Sequence, residues 1–175
     1  MSVLGAIVER GHLLFGLVFL ALVIDEARRR LVSRSAVATG RITQIAFLAA
    51  GVAMWIATLR ADIVSDFVIH SLWADALLLI GGVEWAWQAG VVMARRWLLA
   101  RPTAIAISGL LLLVHVHGAA GSPAVRAHLL MGAALVMAGL AGAAVHLAGG
   151  GRRRWTLSAQ VPIVLFVALL ITYPQ

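Results

Sequence analysis

Long apolar blocks separated by arginine clusters constrain this chain more than any other feature. Residues 104–116 hold no Asp, Glu, Lys or Arg and show no alternation of polar and apolar positions. About 20 apolar residues carry a helix across a bilayer core. Strands of a membrane barrel alternate in character, which these blocks do not. The chain therefore reads as an all-α integral membrane protein. Its six expected spans run over roughly residues 3–24, 42–59, 67–89, 97–116, 125–147 and 155–173. Composition agrees: 62% of residues are hydrophobic and 12% charged, against about half and a quarter in soluble domains. Pro102 falls near the start of the fourth span, where its missing N–H costs little, while Pro162 falls inside the sixth and is expected to kink it.

The 14 basic residues are all arginine. Arg28, Arg29, Arg30, Arg34, Arg41, Arg95, Arg96, Arg101 and Arg152 to Arg154 flank three connections on one side, leaving Arg10, Arg60 and Arg126 on the other. The positive-inside rule makes the arginine-rich side cytoplasmic and puts both termini outside. Topology thus accounts for the net charge of +7, and no nucleic-acid partner is read into it. Contact with acidic lipid is the generic expectation for such clusters. The first apolar run lacks a separate basic region and a small-residue cleavage site, so it reads as a retained helix. With no cysteine, disulfides, thiolate sites and iron–sulfur clusters are excluded. The chain is expected to be one domain, in a bacterial-type inner membrane.

A repeat organises it. His12, His70 and His128 are spaced 58 residues apart, each followed by a small or apolar residue, a leucine, a bulky apolar residue and a small one. Arg95-Arg96-Trp97 recurs as Arg153-Arg154-Trp155, and Glu26 and Glu84 are also 58 apart. Such a period predicts repeated supersecondary units, here three helical hairpins over about residues 1–60, 61–118 and 119–175. Threading the topology puts His12, His70, His128, His115 and His117 in the outer half and His146 on the cytoplasmic side. Three equivalent helix starts about a pseudo-threefold axis would aim three imidazoles at one point, a geometry used for zinc and copper. His115 and His117, two apart, face away from each other on a continuous helix. At a helix end before Gly118, one or both can turn inward. The competing reading is structural, with each histidine bridging neighbouring helices by hydrogen bonds. His146 is read that way alone. Met131 occupies the slot of Phe15 and Trp73 and reads as core packing, whereas Asp62 and Asp66 are candidate supports for metal ligands.

Two further carboxyl groups fall in the third span. Glu84, near its cytoplasmic end, is expected to pair with arginine, as is Glu26. Asp75 is deeper, where ionisable groups are costly and often functional. It is expected to bond a histidine or to stay protonated. The tryptophans read as interface anchors. Ala134, Ala138 and Gly142 form a stripe of small residues that suits close helix approach. No nucleophile–base pair or phosphate-binding loop is present, so an enzyme is not the expectation.

The segment LLLLVHVHG over residues 110–118, followed by Ala127-His128-Leu129-Leu130, resembles the transmembrane-protein-45 family and, more distantly, bacterial copper-resistance protein D-like membrane proteins. His12 to Gly16 echoes the H-x3-G helix opening of the first of these. The second resemblance implies copper handling by outer-face histidines, here His12, His70, His115, His117 and His128. The chain lacks the methionine-rich or histidine-rich extramembrane segment that would accompany copper transport. The leading expectation is a membrane protein binding copper or zinc through these histidines, for storage, sensing or transfer, with another membrane or periplasmic protein as the expected partner in transfer. The alternatives are a haem b-binding electron-transfer subunit, in which two histidines ligate iron axially, and a non-catalytic accessory subunit of a larger membrane complex.

Overall fold

Glycine and alanine decide how these helices meet. The computed structural model describes residues 13, 15–17, 19, 20, 23, 24, 37–59, 64–91, 97, 99–115, 121–148 and 160–173. Among them every regular element is helical. The elements are α1 (Val37–Thr58), α2 (Val64–Gln88), α3 (Ala100–Val114), α4 (Pro123–Leu147) and α5 (Val161–Ile171), preceded by helical residues between 13 and 24. Phe67–Gln88 and Pro123–Leu147 are long and apolar enough to cross a membrane. The stretches Thr43–Thr58, Ala100–Val114 and Val161–Ile171 are apolar but shorter.

Local chemistry sets the helix ends. Ser122 opens α4 in an extended conformation, its hydroxyl accepting the Val125 N–H at 3.2 Å, with Pro123 next in the first turn. Pro102 sits in the first turn of α3, as expected. Pro162 does not kink a helix interior: it too lies in a first turn, that of α5, where a missing N–H leaves no bond broken.

The closest helix pairs are α1 with α2 and α3 with α4. Each joins what the sequence reads as neighbouring repeat units, so among the described residues the closest pairs are not those within the repeats. Backbone contact explains their intimacy. A Cβ on Gly109 would lie 2.6 Å from the Val136 nitrogen and 2.7 Å from the Gly132 oxygen. One on Gly139 would lie 2.6 Å from the Pro102 oxygen. In the α1/α2 pair, Gly51 faces the Ala74 oxygen and Gly81 the Gln44 oxygen, each at 3.1 Å from such a Cβ. The first helical stretch then links the ends of the chain. Gly16 packs on Ile171 of α5, and the Phe19 ring meets Phe47 of α1 at 6.1 Å and Phe166 of α5 at 5.8 Å.

Apolar side chains fill the interior in two clusters. One gathers Leu112, Met131, Ala134, Phe166, Val167 and Leu170, with Phe15 and Trp73 against it. Phe15, Trp73 and Met131, successive members of one repeat slot, thus share a core, and Met131 is 1% exposed. The second joins Phe47, Ile80 and Ala104. Beyond it, at the end of α2, Arg101 pairs with Glu84 at 2.8 Å and lies over the Phe47 ring at 5.7 Å. Gln44 donates to the Glu84 carbonyl at 3.2 Å. The arginine partner expected for Glu84 is therefore Arg101, while Glu26 lies outside the described residues.

Gly109→Ala is expected to cost about 1–3 kcal/mol, because the new methyl meets backbone that cannot yield. Gly82→Ala, where a Cβ meets nothing within 4 Å, is expected to be neutral or slightly stabilising through helix propensity. Thermal unfolding of the two variants in detergent compares them directly.

Candidate imidazole site

Four helix ends converge at the end of the bundle opposite the Glu84–Arg101 pair. His70 lies in the second turn of α2 and His128 in the second turn of α4, His115 caps the end of α3, and Tyr173 follows α5. The His70 and His115 rings are 5.1 Å apart, and those of His115 and His128 are 6.3 Å apart. Tyr173 meets His128 at 5.1 Å. Trp73 completes the set, 5.3 Å from His70 and 5.7 Å from His115. Every one of these contacts is edge to face, with interplanar angles of 76° to 88°, the geometry that opposed ring quadrupoles favour.

The backbone makes this convergence possible. His115 leaves helical geometry (φ −90°, ψ 74°), and its side chain is 4% exposed. The α3 end therefore turns inward, as one of the two expected orientations required. His128, also 4% exposed, is carried one turn past the Ser122 cap. Trp73 is fixed by its indole N–H, which donates to the Ser108 carbonyl of α3 at 3.2 Å.

Hydrogen bonding assigns a tautomer to His128. Its Nδ1 lies 3.0 Å from the Ala124 carbonyl oxygen. A carbonyl only accepts, so this contact assigns a proton to Nδ1. The Tyr173 hydroxyl lies 3.3 Å from the same Nδ1. A ring nitrogen held by a backbone carbonyl while the other keeps its lone pair is the usual arrangement of a metal-binding histidine.

The fit to an ion can be judged from ring spacing. With metal–nitrogen bonds of about 2.0–2.1 Å, two imidazoles on one tetrahedral ion have ring centres about 5 Å apart, and about 6.4 Å if they are opposed. The observed 5.1 Å and 6.3 Å separations belong to rings packed edge to face, so they describe ring packing and not lone pairs already aimed at one point. Among the described residues no three His, Cys, Asp or Glu side chains are already set to ligate one ion. Binding would require the stacked rings to swing out of edge-to-face contact. The donor set is all nitrogen, with phenol oxygen beside it. Met131 is core, as its repeat slot suggests.

His12, His117 and Asp62 lie outside the described residues, as does the side chain of Asp66. His146 is at the far end of α4. Among the described residues Asp75 bonds no histidine: its Oδ1 accepts the Trp55 indole N–H at 2.9 Å, because the last turns of α1 pack against that part of α2. Sequence reasoning passed over Tyr173 and Trp73. The repeat holds a signal for the first, since Tyr173 lies 58 residues after His115 (173 − 115) and ends its helix equivalently. Trp73 carries none, because indoles near span ends are common.

Compared with known protein families, curated proteins and solved structures, the chain finds no match.

The His128 tautomer is open to test. In spectra of nitrogen-15 histidine-labelled protein near neutral pH, the ring is expected to show a protonated Nδ1. A protonated Nε2 with bare Nδ1 would contradict the geometry.

Proposed function

We propose that the chain is a six-span inner-membrane protein that binds a transition metal, copper foremost and zinc as the alternative, through imidazoles gathered at its outer end. The observation that carries this reading is the meeting of His70, His115 and His128, from three separate helices, in one set of ring contacts.

Membrane insertion is supported by an inverted distribution of polarity. Thr43, Gln44, Thr58, Ser71, His115 and His128 are buried, while Ile45, Val52, Ile56, Leu79, Ile107, Leu110 and Leu140 are exposed. A soluble protein does not expose large apolar side chains along helix after helix. In a bilayer that surface faces lipid. The buried hydroxyls satisfy themselves inside their own helices, as Thr58 does on Met54 and Ser71 on Phe67, both at 2.7 Å. The two long helices and the arginine distribution point the same way.

At the site, His70, His115 and His128 would supply the first ligands, with His12 and His117 as further candidates. Imidazole without thiolate suits copper and zinc. The bound ion would supply a Lewis-acidic or redox centre. The chain's own part is to present lone pairs in a dry setting, with the Ala124 carbonyl holding His128 in register. Without a nucleophile–base pair beside it, the site suits storage, sensing or hand-over better than turnover.

Elemental analysis with an absorption spectrum of detergent-purified protein tests the proposal. Stoichiometric copper or zinc is expected. His70→Ala and His128→Ala should each lower affinity by about tenfold to a hundredfold or more, while His146→Ala leaves it unchanged. A Soret band would replace this reading with the haem-subunit one. Protein that stays metal-free on titration and co-purifies with stoichiometric partners would replace it with the accessory-subunit one.

A further inference from the structure

Asp75 takes no part in the imidazole set. It lies 11 residues from the start of α2 (75 − 64) and 13 from its end (88 − 75), about 16 Å and 20 Å along the axis. Its side chain is exposed. Trp55 donates to Oδ1 at 2.9 Å and is its only partner among the described residues. The carboxyl group opens onto a groove of about 710 Å³ between α2 and α3. Leu72, Ala76 and Leu79 of α2 and Thr103, Ala104 and Ile107 of α3 line it, so apart from Thr103 its walls are apolar.

In a spanning helix a carboxylate at this depth is expensive, and such groups are normally covered by a partner of opposite charge. We propose that the groove receives a transmembrane helix of a second protein, one carrying a lysine or arginine at the depth of Asp75. This rests on the membrane-spanning reading above but not on metal binding. Depth excludes a lipid headgroup, which stays at the interface. It also favours a helix over a free lipophilic amine, because a cation reaches mid-bilayer only when something anchored carries it there. A second copy docked about a twofold axis would set Asp75 against Asp75, since such interfaces oppose identical patches. The small side chains of Ala76 and Ala104 let an incoming backbone approach.

The probe is a polyleucine transmembrane peptide with one central lysine, paired with its lysine-free counterpart. Both are mixed with the full chain in phosphatidylcholine vesicles and followed by resonance energy transfer. The lysine peptide is expected to associate about tenfold more tightly than the neutral one. Asp75→Asn keeps an oxygen for Trp55 and should abolish that preference. Ile107→Trp, at an exposed position, narrows the groove without touching the charge and should weaken lysine-peptide binding. Equal binding of the two peptides, or a preference that survives Asp75→Asn, overturns the proposal. Self-association strengthened by Asp75→Asn overturns it in favour of a second copy. Release of the chain from vesicles by alkaline extraction overturns the spanning reading itself. A chain that is retained but shows no lysine preference overturns the docking site alone.

Discussion

The absence of a Cβ at Gly109, Gly132 and Gly139 holds α3 and α4 at backbone contact, and the geometry of the outer end follows from it. Gly109 and Gly132 face each other's carbonyl oxygens, and Gly139 faces that of Pro102. At that separation the end of α3 and the start of α4 place His115 and His128 within 6.3 Å. Gly51 and Gly81 do the same for α1 and α2, and so set the position of the helix that brings His70. In the membrane setting proposed for the chain, lipid tails would offer no hydrophobic drive for helix association, and van der Waals contact between backbones would have to supply it. The site is in this sense a product of small residues several turns away.

The two ends of the bundle are held differently. At one, Glu84 and Arg101 form a single charged pair with Gln44 and Phe47 packed around it. At the other, aromatic rings meet edge to face with a few directional hydrogen bonds. Between them lie Phe19, Phe166, Met131 and Leu112, an apolar layer. A charged pair opposes separation of α2 and α3, whereas ring contacts permit reorientation at modest cost. That difference would suit the ion binding proposed for this end, which calls for the rings to rearrange.

Much of this was legible in the sequence, and the rest was not for identifiable reasons. Helical class followed from unalternating apolar blocks; of the histidines spaced by 58 residues, His70 and His128 each lie against His115, and His12 is outside the described residues. His115 turning inward was one of two orientations that its place before Gly118 allowed. The ion pair of Glu84 was readable as a type, but the identity of Arg101 needed the packing angle of α2 against α3. For Asp75 the sequence left a histidine bond and a protonated state open, and helical phase alone cannot say which neighbour a face meets. Its hydrogen bond comes from Trp55, 20 residues earlier on the adjoining helix. Tyr173 escaped notice because the repeat pairs it with a histidine, and unlike residues in one slot do not announce a shared place.

The perpendicular stacking of the rings carries one more implication. Tyr173, His128, His115, His70 and Trp73 form an unbroken series in which the edge of each ring abuts the face of the next. A turn of any one ring therefore has to be accommodated by the rings beside it. Trp73 ties the series to the body of α3, through its indole bond to Ser108.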